Sequence, residues 1–126
     1  MIVGIGTDIV RVARLGAGLS RFGSRYAARI LSPDEYPEFV VAARPAHFLA
    51  KRFAVKEATA KALGTGFRGA FGFRDITVAH TALGKPRLVL TGDAEAFART
   101  LKVGAMHVTL SDEEDYAVAF VVLEQV

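Results

Sequence analysis

The sequence predicts an α+β fold, in which a small antiparallel sheet packs with one long central helix and shorter helices. Two observations lead to this class. Strand-like apolar runs occur at both ends of the chain, separated by segments with helical spacing. The longest helical segment, residues 45–63, carries apolar residues nearly all the way round the helix, as enclosed helices do. At 126 residues the chain has the size of one domain, which we place at residues 1–126.

The N-terminal part predicts one strand followed by short helices. Ile2–Val10 is a strand with few polar side chains. Residues 11–31 then form one or two short helices, interrupted near their glycines. These glycines are Gly16, Gly18 and Gly23. A further helix is predicted to start at Ser32, because Ser32 can cap it, Pro33 suits its first turn and Glu35 follows at the third position.

The rest of the chain predicts the central helix, more strands and a last helix. The helix covers Pro45–Leu63 and ends at Gly64, a plausible residue just past a helix terminus. The later elements are strands at Asp75–His80 and Arg87–Leu90, a helix at Asp93–Leu101, and a hairpin of Met106–Ser111 with Tyr116–Leu123. Residues 117–123 are apolar on both faces, so we expect protein to cover both sides of this strand.

Composition narrows the class of protein. The chain has no cysteine, which excludes disulfides, a cysteine nucleophile and a thiolate metal site. No apolar run approaches the ~18 residues of a membrane span, and the start of the chain does not resemble a signal peptide, so we expect a cytoplasmic protein without membrane attachment.

Hydrophobic residues make up 52% of the chain, an excess that points to an oligomer interface. The net charge of +3 suggests an anionic partner: nucleic acid, a phosphorylated small molecule or an acidic protein.

Asp8 is the first candidate for a functional residue. It follows Gly4 and Gly6 on one face of the first strand, where the glycines leave room for another backbone or a ligand. A carboxylate at the end of a buried strand needs a cation, a metal or several donors. The alternative is that Asp8 caps the helix that follows.

The central helix carries two pairs of charged residues on different faces. Glu57 and Lys61 are one turn apart on one face, while Arg52 and Lys56 share another face and could offer two cations to an anion. Because the helix is mostly enclosed, these charges need partners. For Glu57 and Lys61, an ordinary surface pair remains the alternative.

Three further features are open to a functional interpretation. The glycine-rich residues 64–72 suit a flexible loop beside a substrate channel, since they follow a helix C-terminus and do not form a phosphate loop. A row of arginines in residues 11–31 suits an acidic helix or a phosphate backbone, although it could be a solvated face. This row is Arg14, Arg21, Arg25 and Arg29. His107 shares a polar strand face with Thr109, where a structural hydrogen-bonding role is the alternative.

The order of these features resembles the holo-acyl-carrier-protein synthase family, small trimeric members of the 4′-phosphopantetheinyl transferases. The resemblance is carried by GIGTDIV at residues 4–10, FLAKRFAVKEA at 48–58, KALGTG at 61–66, LGKP at 83–86, MHVTLSD at 106–112 and YAVA at 116–119. It spans nearly the whole chain. It implies an enzyme that moves 4′-phosphopantetheine from coenzyme A to a serine of apo acyl carrier protein, releasing 3′,5′-ADP, in support of fatty acid biosynthesis.

The resemblance also implies roles for individual residues. Asp8 and Glu57 map onto the carboxylates that hold Mg²⁺, and Glu57 and Lys61 onto catalytic positions. The implied contacts to coenzyme A are Arg52, Lys61, Gly64, Pro86, His107 and Thr109. The implied contacts to the carrier protein are Arg14, Arg21 and Arg25. Many members have histidine where this chain has Asp112, so no role is assigned there. The family's active sites lie between the subunits of a homotrimer.

Two other functions compete with this interpretation. A small basic nucleic-acid-binding module would need stacking aromatics on an exposed sheet or a helix-turn-helix. The chain has no tryptophan, and its cations lie on separate elements. A broad-range phosphopantetheinyl transferase is less consistent with the chain length, since such proteins carry two such halves in one chain.

Overall fold

The computed structural model describes residues 1–126 and contains five helices and two antiparallel sheets. The strands are β1 (Ile2–Arg11), β2 (Ile76–His80), β3 (Pro86–Leu90), β4 (Val103–Asp112) and β5 (Tyr116–Gln125). The helices are α1 (Val12–Phe22), α2 (Ser24–Ile30), α3 (Tyr36–Val40), α4 (Pro45–Ala62) and α5 (Gly92–Thr100). The predicted α+β class is confirmed. The strands form two sheets, however, with the β2–β3 hairpin separate from the sheet of order β1–β5–β4.

Helix α4 packs across one face of the larger sheet. The alternation of β5 places Ala117, Ala119, Val121 and Leu123 on that face, and all four are buried. Buried residues also run round much of α4, as its sequence predicted. The core therefore lies between α4 and the β1–β5–β4 sheet.

Two glycines of β1 allow α4 to approach the sheet closely. A Cβ atom on Gly4 would lie 1.9 Å from the carbonyl oxygen of Ala62, and one on Gly6 would lie 1.9 Å from that of Ala58. Any other residue would push the helix away. The predicted room for another backbone beside this face of β1 is confirmed, and the backbone is that of α4.

The opposite face of this sheet has no cover within the chain. Ile5, Ile9, Val118 and Phe120 lie there with 39–65% of their surface exposed. The β-pairing places Ile9 beside Val118 and brings Phe120 between Thr7 and Thr109. We expected protein to cover both sides of the last strand. Within this chain, α4 covers one side and nothing covers the other. No helix of the structure is both long enough and apolar enough to cross a bilayer.

Two details of the N-terminal part differ from the prediction. Gly16 and Gly18 lie inside α1, and only Gly23 separates it from α2, with a positive φ of 66°. Gly18 is required inside the helix because the ring of Tyr26 packs directly against it. The helix predicted at Ser32 begins instead at Tyr36.

Candidate active site

A carboxylate and an ammonium meet where β1 crosses α4. The Nζ of Lys61 donates to Oδ1 of Asp8 and to the carbonyl oxygen of Thr7, each at 3.0 Å. Asp8 is positioned by the same strand face that carries the two close-packed glycines, and Lys61 by the last turn of α4. The pairing brings together two residues that are far apart in the sequence and that separate sequence patterns indicated as functional candidates.

Glu57 lies one helical turn before Lys61 and faces the same junction. The pKa of Glu57 is raised above its ordinary value, first by burial and then by the negative charge of Asp8, while Lys61 and Arg14 oppose the rise. The two carboxylates therefore lie close enough to repel each other. An ammonium and a guanidinium only partly relieve this repulsion.

Two neighbouring carboxylates of this kind fit a hard divalent cation. Mg²⁺ takes oxygen ligands and keeps several of its waters, so one or two protein carboxylates are a normal share of its ligands. No group of three or more His, Cys, Asp or Glu side chains that could hold a metal occurs in the structure. Asp8 and Glu57 would thus leave most ligand positions to water and to an anionic substrate.

A cavity of about 530 Å³ opens beside this junction, at the end of α4. Its lining has no hydrophobic residue and consists of Lys61, Gly64, Thr65, Gly66 and Arg68. Gly64 ends the helix with φ of 90°, as predicted for a residue just past a helix terminus. Two cations at an open, polar cavity suit a phosphorylated ligand. The glycine-rich loop, defined here as residues 64–72, forms most of the cavity wall.

The other cationic face of α4 is buried in an ion-pair network. Lys56 and Arg52 both face the carboxylate of Glu35, at 2.7 and 3.8 Å. Arg52 also pairs with Glu38 at 3.4 Å and stacks on Phe48. The sequence predicted two cations facing an anion here, and that anion is Glu35. Because its guanidinium is taken up in this way, the structure does not bring Arg52 to the Asp8–Glu57–Lys61 junction.

Glu35 is a residue whose role sequence reasoning missed. It was interpreted as part of a helix start, and its Oε1 does accept a hydrogen bond from the backbone N–H of Ser32. Its carboxylate is fully buried, however, and bound to Lys56. This interaction holds Ser32 and Glu35 in the core while Pro33 and Asp34 stay exposed, and the helix begins only afterwards, at Tyr36. Arg68 was also missed, although it lies in the glycine-rich segment that the sequence indicated.

The arginines of α1 and α2 form an exposed basic surface. A cavity of about 350 Å³ on this surface is lined by Arg21, Phe22, Arg25, Tyr26 and Arg29. The two aromatic rings are stacked with centroids 6.3 Å apart. None of these three arginines pairs with a carboxylate. The surface therefore presents unpaired guanidiniums around an aromatic centre.

Arg14 lies apart from that surface and closer to the carboxylates. Its guanidinium is 5.3 Å from the ring centroid of Phe53, which precedes Glu57 by one turn of α4. Arg14 is also one of the charges that lower the pKa of Glu57. It thus lies between the basic surface and the Asp8–Glu57–Lys61 junction.

His107 and Thr109 lie on the opposite face of the sheet from Asp8. Thr109 pairs with Phe120 on the uncovered face, and His107 is exposed there with its Nε2 2.6 Å from a carboxylate oxygen of Glu124. Pro86 lies in the smaller sheet, where it pairs with His80. Within one chain, the sheet itself separates His107 and Thr109 from the two carboxylates.

Comparison with known proteins defines the class of this fold and site. Residues 4–121 match the family model of the 4′-phosphopantetheinyl transferase superfamily. The chain therefore belongs to the 4′-phosphopantetheinyl transferase superfamily.

Its relatives are holo-acyl-carrier-protein synthases, as the sequence resemblance predicted. The holo-acyl-carrier-protein synthase of Salmonella heidelberg is 53% identical over 123 residues, which cover 98% of each chain. The crystal structure of the Neisseria meningitidis enzyme is 47% identical with a TM-score of 0.94, over 99% of this chain and all of that one. A Bacillus anthracis enzyme solved in complex with coenzyme A (3′,5′-ADP) is 36% identical with a TM-score of 0.83, over 100% and 99% of the two chains. The predicted family is confirmed, and the nucleic-acid-binding alternative finds no support.

Proposed function

We propose that this protein transfers 4′-phosphopantetheine from coenzyme A to the acceptor serine of an apo acyl carrier protein, releasing 3′,5′-ADP. The observation that carries the proposal is the Asp8–Glu57–Lys61 junction beside a polar, cationic cavity. Two carboxylates and an ammonium next to an open, polar cavity are what a phosphoryl transfer needs. The match to holo-acyl-carrier-protein synthases along nearly the whole chain supports the interpretation of this junction as a phosphoryl-transfer site.

In this reaction the serine hydroxyl attacks the β-phosphorus of coenzyme A, and the bond from that phosphorus to the bridging oxygen breaks. The electron pair leaves with 3′,5′-ADP. Asp8 and Glu57 would hold the Mg²⁺ that such a reaction uses. When bound, Mg²⁺ neutralises charge on the pyrophosphate.

The residues of this chain supply the rest of the chemistry. Lys61 faces both Asp8 and the cavity, so its ammonium can stabilise charge on the phosphate that leaves. Burial and the charge of Asp8 raise the pKa of Glu57 in the metal-free protein, which favours binding of a cation between the two carboxylates. As a hydrogen-bond acceptor at the same place, Glu57 can also orient a water that takes up the proton of the serine hydroxyl. Gly64 and Arg68 line the space for the phosphates.

The nucleotide contacts require a second subunit. His107 and Thr109 were predicted to bind coenzyme A, yet they face away from Asp8 across the sheet. The apolar side chains around them are exposed in one chain, and a neighbouring copy would bury them. A homotrimer with sites between its subunits satisfies both observations. The basic surface of α1 and α2, with Arg14, would then receive the acidic carrier protein.

The roles of Arg52 and Pro86 toward coenzyme A remain predictions from the family resemblance. In this chain Arg52 is held by Glu35 and Glu38, and Pro86 lies in the smaller sheet. A cytoplasmic location, as expected from the sequence, completes the proposal.

Mass spectrometry of a carrier protein tests the proposed reaction. Incubation of apo acyl carrier protein with this protein, coenzyme A and Mg²⁺ should add about 340 Da, the mass of the phosphopantetheine group that the reaction transfers. A carrier whose acceptor serine is replaced by alanine is the matched control and should gain nothing. If several apo carriers keep their mass, the proposed function is wrong.

A further inference from the structure

Lys56 is adjacent to Glu57 but points away from the reaction. Its side chain is fully buried, and its Nζ donates to Oε1 of Glu35 at 2.7 Å. The same Nζ donates to the carbonyl oxygens of Phe73, at 2.9 Å, and of Ile76. All three protons of the ammonium are thereby used. None is left for a phosphate.

The two carbonyls bracket the segment that closes the glycine-rich loop. Phe73–Asp75 form a 3₁₀ turn directly after that loop, and Ile76 begins β2. The other end of the loop is fixed to the end of α4, where the N–H of Gly66 donates to the carbonyl of Ala60 at 3.1 Å. Lys56 therefore anchors the far end of the loop to the same helix that carries the near end.

Aromatic side chains also connect the glycine-rich loop to α4. The ring of Phe73 stacks on Phe53 of α4 with centroids 5.5 Å apart, and Phe67 from the middle of the loop lies 4.1 Å from Phe73. Phe53 and Lys56 both precede Glu57 within one helical turn. The loop is thus attached to the part of α4 that carries the candidate active site.

Glu35 holds this anchor in place. Besides Lys56, its carboxylate accepts hydrogen bonds from the N–H groups of Ser32 and Val78, each at 2.9 Å. A buried charge with this many donors has one preferred position. Lys56 therefore links a rigid carboxylate to the end of the glycine-rich loop, whose other contacts to the core are made by the rings of Phe67 and Phe71.

We propose that Lys56 and Glu35 are positioning residues for the phosphate cavity: they set the glycine-rich loop at a fixed distance from Glu57 and Lys61, and Lys56 does not itself bind phosphate. The identity of the ligand as coenzyme A rests on the proposed function. The anchoring of the loop does not.

The test compares two variants of the anchor with one control. Glu35→Gln keeps the shape of the side chain but leaves the buried Lys56 ammonium without its counter-ion, so the second variant combines Lys56→Met with Glu35→Gln and removes both charges. The control is Thr77→Val in β2, which removes the buried hydrogen bond from the Thr77 hydroxyl to that of Ser32 and leaves the three hydrogen bonds of Lys56 in place.

Amide hydrogen exchange is measured across the chain, together with the Kd for 3′,5′-ADP and the KM values for coenzyme A and carrier. In both anchor variants, exchange in residues 64–73 should rise by about tenfold or more while that of β5 stays unchanged. The coenzyme A KM and the 3′,5′-ADP Kd should also rise by about tenfold, with the carrier KM within about twofold of the parent protein. Thr77→Val should leave the exchange of residues 64–73, the 3′,5′-ADP Kd and both KM values close to those of the parent protein.

Two results would overturn the proposal. One is weaker coenzyme A binding with unchanged exchange in the loop, since Lys56 would then be a direct ligand. The other is faster exchange spread evenly over the chain, or loop exchange equal to that of Thr77→Val, since the pair would then support only overall stability. A parent protein that binds no coenzyme A would refute the proposed function instead, while the exchange data would still decide the anchoring.

Discussion

The ammonium of Lys61 lies 3.0 Å from a carboxylate oxygen of Asp8, and this ion pair joins the last turn of α4 to β1. About half of the Lys61 side chain is exposed, and the lysine also lines the polar cavity at the end of the helix. The Asp8 side chain is only 15% exposed, so the pair contributes about 1 kcal/mol to stability, the upper end for ion pairs that water reaches. An anionic ligand in the cavity could attract Lys61 while a cation takes its place beside Asp8.

Replacing Lys61 by methionine should separate activity from stability. The variant keeps the length of the side chain and loses the charge that faces the leaving phosphate, so kcat should fall by about 10²-fold. The free energy of unfolding should fall by about 1 kcal/mol, because Asp8 and Glu57 then lie together without the ammonium. Steady-state kinetics and thermal unfolding measure the two quantities. Wild-type turnover in a folded Lys61→Met protein would remove Lys61 from the catalytic residues.

The two carboxylates predict a shared dependence on Mg²⁺. Asp8→Asn removes one of the two ligand charges, so the Mg²⁺ concentration for half-maximal activity should rise by about tenfold or more. Chelation with EDTA should abolish activity in the parent protein, and added Mg²⁺ should restore it. Asp93→Asn, an exposed aspartate at the start of α5, is the control and should leave the Mg²⁺ titration unchanged. An unchanged titration for Asp8→Asn as well would exclude Asp8 as a ligand.

In the absence of metal, the Glu57 carboxylate should destabilise the fold. Burial and the charge of Asp8 raise its pKa, so the folded protein favours the protonated form. Glu57→Gln should therefore increase the free energy of unfolding at neutral pH by roughly 0.5–1 kcal/mol in EDTA. This gain should shrink as the pH falls through the raised pKa of Glu57 and vanish below its unfolded value of about 4.3, because the parent carboxyl is then protonated in both states. Denaturant unfolding at several pH values measures the difference, and a gain that grows on acidification would contradict the assigned direction.

The sequence predicted most of the fold because its patterns are local. Strand alternation, the glycine after α4 and the enclosed central helix are properties of short segments, and the structure has them within a few residues of the predicted bounds. The helix start at Ser32 was placed wrongly, because a buried ion pair between Glu35 and Lys56 outweighs the local capping pattern. Such a pair joins residues that are distant in sequence, and no local pattern reports it.

The candidate site was predictable only in part for a similar reason. Asp8, Glu57 and Lys61 were identified separately from strand and helix patterns, but neither pattern states that they meet. Their order resembled that of a family, and this resemblance brought them into one site. The alternation of its strand predicted that His107 shares a polar face with Thr109. Its separation from Asp8 by the sheet appeared only once β4, β5 and β1 were paired.

The basic surface predicts different effects for two arginines. Arg21→Glu should raise the carrier KM by about tenfold and leave kcat and the coenzyme A KM unchanged, because Arg21 lies on the exposed surface alone. Arg14→Glu should raise the carrier KM and also lower kcat, since Arg14 lies near Glu57 and favours its ionised form. Arg99→Glu on α5 is the control for the same change in net charge. Identical kinetics for Arg14→Glu and Arg21→Glu would mean that Arg14 acts only in docking.

A mixture of two inactive variants tests whether each site is shared between subunits. Asp8 and Glu57 lie on the side of the sheet that α4 covers, while His107 lies on the uncovered side, so we expect the two groups of one site to come from different subunits. Glu57→Gln and His107→Ala proteins should each be impaired alone. When they are co-expressed, random assembly leaves about a quarter of the sites with Glu57 from one chain and His107 from its neighbour, and activity should recover accordingly.

The control for this mixture is a pair of variants on the same side of the sheet. Glu57→Gln co-expressed with Asp8→Asn can form no site with both carboxylates, whichever way the subunits assemble, so its activity should stay at the level of the single variants. Recovery in the first mixture but not in the second requires a site built from two chains, since no single chain in the first mixture is intact. If neither mixture recovers although light scattering shows mixed oligomers, His107 acts within its own subunit or takes no part in binding the nucleotide.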